Sequence, residues 1–155
     1  MFHVWLMGRT QGGFLEAGVA EYIRKLGRWR RLRWHELPAP STPSSAGPNF
    51  ILGKEAEVWK KHWPEKGRVA LLHNDGLAFD SERFSQHIFH LMDTWGQVHW
   101  MVGGPYGFAP EIRARAHEVI SLSPMIFNHQ LVRLIFLEQL FRAFCIRHGV
   151  PYHHP

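Results

Sequence analysis

Apolar residues in this chain fall into short blocks divided by glycine, proline and charge, and the spacing inside successive blocks alternates between two kinds. Phe2 to Met7 is an apolar run ending at Gly8, as expected of a strand continued in a buried parallel sheet. Beyond Gly12 and Gly13, Leu15, Val19, Tyr22, Ile23 and Leu26 recur at helical spacing and predict one apolar face over about three turns. Leu32, Trp34 and Leu37 mark a second strand. The stretch from Pro38 to Asn49 holds four of the ten prolines and several serines, so it predicts a mobile surface loop. Phe50, Ile51, Lys54, Val58 and Trp59 restore helical spacing, which ends near Pro64. Val69 to Leu72 reads as a buried strand, Asn74-Asp75-Gly76 as a turn, and Ser81 as the cap of a helix with the face Phe84, Ile88, Leu91, Met92 and Trp95. Val98 to Val102 is the next strand, broken by Gly103-Gly104-Pro105-Tyr106-Gly107. Pro110 then opens a short helix to about Glu118, followed by a strand from Val119 to Leu122.

Strand and helix in alternation predict an α/β fold, a parallel sheet with helices on both faces, whose ligands sit beyond the C-terminal ends of the strands. The loops after Leu72, Val102 and Leu122 are thereby placed together. In the last helix, from about Asn128 to Arg147, twelve of the sixteen residues from Leu131 to Ile146 are apolar or alanine. One sheet face does not cover such a helix, so a homodimer packed against it is expected.

With 155 residues, 45% of them hydrophobic, the chain fits one domain over 1–155 that buries about 68–70% of its unfolded surface. Its one cysteine, Cys145, has no internal partner, which points to a reducing compartment such as the cytoplasm. No secretory leader pattern is read at the start. Arg133 and Glu138 interrupt the longest apolar stretch, short of the ~18 residues a membrane span requires. The formal net charge of +5 is uneven: Met1 to Arg68 carries twelve basic and six acidic residues, Val69 to Pro155 six and seven. A local basic surface of that kind suits a polyanion, or is simply a solvated charged face.

Within that basic half, Arg24, Lys25, Arg28, Arg30, Arg31 and Arg33 put six cations in ten positions around Trp29 and Trp34. The pattern suits RNA phosphate contacts and base stacking, or else two core tryptophans beside wet arginines. The Gly103-to-Gly107 turn admits a close backbone approach by a ligand, but it has neither the Walker spacing nor the dinucleotide fingerprint. Twelve histidines, with His87 and His90 one turn apart, lack the rest of a ligand set, and no metal is expected. No Gly-x-Ser-x-Gly elbow supports a serine hydrolase. The tail from Gly149 to Pro155 is either a frayed end or a Tyr/His pair that stacks on and hydrogen-bonds a base.

The order of these segments is more specific than any one of them. Val-Gly-Gly-Pro-Tyr-Gly at 102–107, Ser-Leu-Ser at 121–123, His129-Gln130-Leu131-Val132-Arg133, Glu138-Gln139, Arg142-Ala143-Phe144 and Pro151-Tyr152-His153 together resemble the ribosomal RNA large subunit methyltransferase H family. The resemblance runs from Met1 to Pro155 and is strongest in the last third. It implies the SPOUT fold with a C-terminal deep trefoil knot, a homodimer, and S-adenosyl-L-methionine held largely by backbone groups of three loops. Carried over, these are Leu72, Gly103 and Gly104, and Leu122, Ser123, Pro124, Met125, Ile126 and Phe127. The implied reaction is methylation of N3 of a pseudouridine in 23S rRNA of the assembled 70S ribosome.

For that chemistry, positioning of the nucleophile against the methyl carbon dominates. Tyr152 and His153 of one subunit are expected to present the nucleotide to cofactor held by the other, with His153 accepting the N3 proton. His129 and Arg133 are expected to orient the tail or bind RNA phosphate, or to serve structural hydrogen bonds. His154, Arg28, Arg30 and Arg31 complete the RNA-binding set.

The chain departs from the family at His73, where many members carry an acid, at Tyr106 and Asn128, and at His154 in place of a permanent cation. Two other readings follow: an RNA-binding SPOUT dimer of weakened turnover, and a methyltransferase for another RNA such as tRNA.

Overall fold

The alternating blocks become five strands and five helices in the computed structural model, which describes residues 1–155. In chain order they are β1 (Phe2–Met7), α1 (Gly13–Leu26), β2 (Leu32–Leu37), α2 (Pro48–Lys61), β3 (Arg68–Ala78), α3 (Ser81–Trp95), β4 (Val98–Val102), α4 (Pro110–Arg115), β5 (Glu118–Ser121) and α5 (Leu131–Arg147). The strands form one sheet in the order β2-β1-β4-β3-β5. Every neighbouring pair is parallel, so all C-terminal ends lie along one edge.

Alternate residues of the strands feed two cores. Phe2, Val4, Leu6, Ala70, Leu72, Trp100, Val102 and Ile120 join buried residues of α1, α3 and α5. Leu37, Val69, Leu71 and Met101 join α2 and α4 on the opposite face, as expected for helices on both sides of a parallel sheet. No helix is long and apolar enough to cross a membrane.

Several expected boundaries move, each for a local reason. Asn74-Asp75-Gly76 is not a turn but part of β3, which continues along β5 after a register shift between Leu72 and Leu77. Gly76 makes this possible, because a Cβ there would lie 2.7 Å from the backbone of Ile120. The cap of α3 is Asp80, whose carboxylate accepts from the Arg83 N–H at 2.7 Å; Ser81 is the first helical residue and donates its hydroxyl to Gln139. Pro48 opens α2, so the irregular stretch ends two residues sooner, while α4 stops at Arg115. Residues 128–130 are a turn ahead of α5.

Most of the apolar circumference of α5 is covered from within the chain, with Leu131 left exposed. Helices α1 and α3 flank α5, and Phe136, Leu137, Leu140, Phe141, Ala143, Phe144 and Cys145 are buried without a second subunit. Gly18 of α1 allows the close approach, since a Cβ there would meet the Leu134 side chain at 2.9 Å. Each fully buried Leu or Phe contributes about 1.5–3 kcal/mol relative to exposure. A homodimer therefore does not follow from the apolar circumference of this helix.

On the face carrying α2 and α4, near the N-terminal ends of the strands, four rings stand against one another. Trp5 stacks on His35 at 3.9 Å, and His3 stacks on His99 at 4.5 Å. His3 Nδ1 lies 3.1 Å from His35 Nε2, while the Trp5 indole N–H donates to His99. Burial first, then the proximity of His99, His35, Arg33 and the N-terminus, pushes His3 down to about 4. The unfolded chain takes up protons below about pH 6.5 that the folded chain refuses until about 4, so stability is lost as pH falls through that window. The thermal midpoint should fall by roughly 4 °C or more between pH 6.5 and 4.5, and less in His3→Gln, by circular dichroism at both pH values.

Candidate active site

At the C-terminal edge of the sheet the loops after β3, β4 and β5 enclose a cavity of about 270 Å³. Leu72, Gly103, Gly104, Leu122, Ser123, Met125, Ile126 and Phe127, all singled out from the sequence, line it; Pro124 does not. The strand-end loops meet there because the sheet is parallel throughout. Its tightest part is the turn after β4. Gly107 has φ +78° and donates its N–H to the Gly104 carbonyl, closing the turn. A Cβ on Gly103 would overlap the Gly107 carbonyl oxygen, and one on Gly104 would overlap the Glu55 carboxylate. Side chains are excluded, so the backbone itself forms the wall.

The departures at His73, Tyr106 and Asn128 have definite places. His73 packs against Gly107, and its Nδ1 donates to Asp75 at 2.6 Å. Arg113 donates to both Asp75 oxygens at 2.9 and 3.1 Å and, with His73, holds that carboxyl below its usual range. Tyr106 lines the cavity and is half exposed. Asn128 closes the turn ahead of α5: its side-chain oxygen accepts from the Gln130 N–H at 2.8 Å.

His129 lines the same cavity, and burial, then the Arg133 charge, lowers its pKa, so the ring is neutral at pH 7. Arg133, expected to orient the tail or touch RNA phosphate, is fully buried. Its guanidinium donates to the carbonyls of Met7, Gly8 and His129 and to Thr10 Oγ1, at 2.8 to 3.3 Å. It is therefore a structural tie between β1 and α5, the alternative that the sequence left open.

The tail lies outside this cavity. Tyr152 packs on Phe141 and donates its hydroxyl to Glu138 Oε1 at 3.0 Å; burial, followed by its hydrogen bonds to Tyr22 and Glu138, raises its pKa. Arg142 donates to Glu138 at 2.6 Å and reaches His153 Nδ1 at 3.4 Å, leaving Nε2 as the free ring nitrogen. His154 is exposed. Arg28, Arg30 and Arg31 are exposed too, but at the opposite edge, where α1 ends and β2 begins. Trp29 is used in packing, stacked on Phe144 and His148 at 5.6 Å, with the Arg28 guanidinium 4.0 Å from its ring. His87 is likewise structural, bonded to Glu118 at 2.7 Å. No three His, Cys, Asp or Glu residues meet in a way that could hold a metal.

One site residue escaped the sequence reading. Glu55 on α2 is buried beside Gly104, and its Oε2 has no hydrogen-bond partner. Burial pushes its carboxyl up to about 7, partly offset by the Gly104 N–H. Glutamate is ordinarily a surface residue, so nothing in the local spacing marked it.

The family described as "Predicted SPOUT methyltransferase" matches residues 1–153. The chain belongs to the SPOUT methyltransferase family. Among curated relatives, proteins called ribosomal RNA large subunit methyltransferase H are similar along nearly their whole length. Those of Cytophaga hutchinsonii and Geobacter sulfurreducens are 35% and 38% identical, each over 97% of both chains. That of Christiangramia forsetii is 38% identical over 96% of this chain and 95% of its own.

Membership in a SPOUT methyltransferase family implies a methyl donor of the S-adenosylmethionine type, and the cavity fits one. Residues of three loops line it, a Cβ at Gly103 or Gly104 would disrupt it, and no Lys or Arg lines it to repel a sulfonium cation. Gly103→Ala should weaken donor binding by about 100-fold, or 2.8 kcal/mol, in calorimetric titration, because the turn must open to admit the methyl group. Arg133→Met leaves three carbonyls short of a donor and should cost about 2–4 kcal/mol in urea unfolding.

Proposed function

We propose that this SPOUT methyltransferase transfers the methyl group of S-adenosyl-L-methionine to N3 of a pseudouridine in 23S rRNA of the assembled 70S ribosome, as a cytoplasmic homodimer. The observation that carries this reading is the side-chain-free Gly103–Gly104 wall where the loops after β3, β4 and β5 meet. Relatives that share nearly the whole chain are named for methylation of large-subunit ribosomal RNA. The trefoil threading of the C-terminal third belongs to the same reading.

Leu72, the Gly103–Gly104 turn and the 122–127 loop would hold the donor, which supplies an electrophilic methyl group. The chain's own part is then to orient the nucleotide and exclude water. Tyr152 and His153 lie outside their own protomer's cavity, which suits presentation of the nucleotide to a partner's cavity. Support for the dimer comes from the exposed apolar residues Phe14 (73% exposed), Met125 (72%), Ile126 (85%) and Leu131 (38%). Arg28, Arg30, Arg31 and His154 are left to meet RNA away from the reacting base.

Label from S-adenosylmethionine should enter the large-subunit RNA of ribosomes lacking their native methylations, and neither naked 23S rRNA nor tRNA. Label in tRNA alone would move the substrate class; no label in any RNA would leave an RNA-binding dimer. His153→Ala should lower kcat/KM for ribosomes at least ~10-fold with donor affinity unchanged. Sedimentation at micromolar concentration should give twice 18.1 kDa, and the single mass would overturn the dimer.

A further inference from the structure

A second hollow opens at the same edge of the sheet, between β1 and β4. It is lined by Gly8, Arg9 and Gln11 after β1, by Gly104 and Pro105 after β4, and by Glu55, His129 and Gln130. The sheet reverses its winding here. The helix that follows β1 packs on one face and the helix that follows β4 on the other, so the two loops part and leave a crevice. The two cavities share Gly104, Pro105 and His129 as a common wall.

The chemistry of the crevice is graded from rim to floor. Arg9 is exposed at the rim, suited to a phosphate. Gln130 is used internally, donating to the Arg9 carbonyl and accepting from the Gln11 N–H, and so fixes the β1 loop. At the floor, Glu55 Oε2 is buried and without a partner; the other such carboxylate oxygen, Glu118 Oε1, at least faces the Arg68 guanidinium at 3.5 Å, whereas Glu55 faces the crevice. An unpartnered buried acceptor is costly unless a ligand supplies the donor.

We propose that this crevice receives the uracil-type ring of the target nucleotide and that Glu55 Oε2 accepts its ring N–H and then its proton. This rests on the methyl-transfer reading above. The N3–H bond breaks with its proton passing to the carboxylate. The freed electron pair forms the N–CH3 bond as the donor's S–CH3 bond breaks and leaves its pair on sulfur. Glu55 ends as the neutral acid, and solvent restores the carboxylate.

Burial brings Glu55 to about 7, where a carboxylate is both available and basic enough to act. The other charged or titratable groups around it are Arg9 and His129 in the crevice, Tyr106 on the shared turn, and Arg133 beneath the Gly8 carbonyl. His129 is the competing base; burial and the Arg133 charge lower its pKa, and unlike Glu55 Oε2 it is not among the buried atoms left without a partner. His153 offers only Nε2, from a tail that lies outside both hollows of its own protomer.

The test uses the full chain with two readouts. In methylation of ribosomes, Glu55→Gln should lower kcat at least ~100-fold, remove the wild-type rise in rate through about pH 7, and leave calorimetric affinity for S-adenosylmethionine within about twofold. Independently, pseudouridine monophosphate added to protein saturated with S-adenosylhomocysteine should shift the amide resonances of Gly8, Gln11 and Gln130. Ala39, just after β2, also lines the crevice but not the donor cavity, and Ala39→Phe should fill it and abolish those shifts while keeping donor affinity. Wild-type turnover in Glu55→Gln overturns the proton role. Loss of donor binding in that variant also overturns it, making Glu55 a prop for the Gly104 turn. Absence of nucleotide shifts overturns the crevice as a base site. Should wild-type protein label no RNA at all, the methyl-transfer reading fails with the proton role, and the nucleotide shifts alone decide the crevice.

Discussion

The buried guanidinium of Arg133 is the tie on which the site depends. It joins the last helix to the end of the first strand, two segments separated by more than a hundred residues, through four donors to three carbonyls and a hydroxyl. Removing an arginine from water is expensive, and it is tolerated where nearly every donor is used. Glu36 extends the tie, accepting from the Thr10 N–H and hydroxyl and from the Trp34 indole. With β1, β2 and α5 locked in this way, His129 has a fixed place between the two cavities. The cation acts on the site through the wall that it holds and through its charge, which helps to lower the pKa of His129.

Sheet topology then sets what each cavity can be. The hollow at the ends of β3, β4 and β5 has apolar side chains on its β3 and β5 sides and a glycine turn on its β4 side, where backbone is positioned without side-chain entropy. The crevice between β1 and β4 arises from the change of winding direction and presents the polar side chains of Arg9, Gln11, Glu55, His129 and Gln130. One turn, Gly103 to Gly107, stands between them, so a displacement there reaches both. Asp75, bound by His73 and Arg113, steadies that turn from the β3 side.

Much of this was legible in the sequence because apolar spacing reports burial directly. All ten elements and the convergence of the three loops followed from it. What failed did so where a long-range partner decided the outcome. The Asn74-Asp75-Gly76 segment has turn composition but extends because β5 lies alongside and Gly76 leaves room for it. The apolar circumference of α5 looked unmet because sequence does not show that α1 and α3 both flank it. Arg133 and Glu55 are the deeper cases. Their residue types argue for solvent, and only the fold shows that one is satisfied by carbonyls and the other is left with a free oxygen. On α2 the buried stripe runs through Glu55, Ala56 and Trp59, one step round from the face that Phe50 and Lys54 implied.

The arginines of the basic segment and the donor cavity stand at opposite ends of the strands, and that separation is a ruler. Six residues of β1 at about 3.3 Å each set the two edges roughly 20 Å apart. Measured along a duplex, this corresponds to about six base-pair steps. A polyanion that touches both edges of one protomer must therefore span about 20 Å, and a free nucleotide reaches only one. Span, before any base is read, thus separates ligands able to engage both edges from those that engage one.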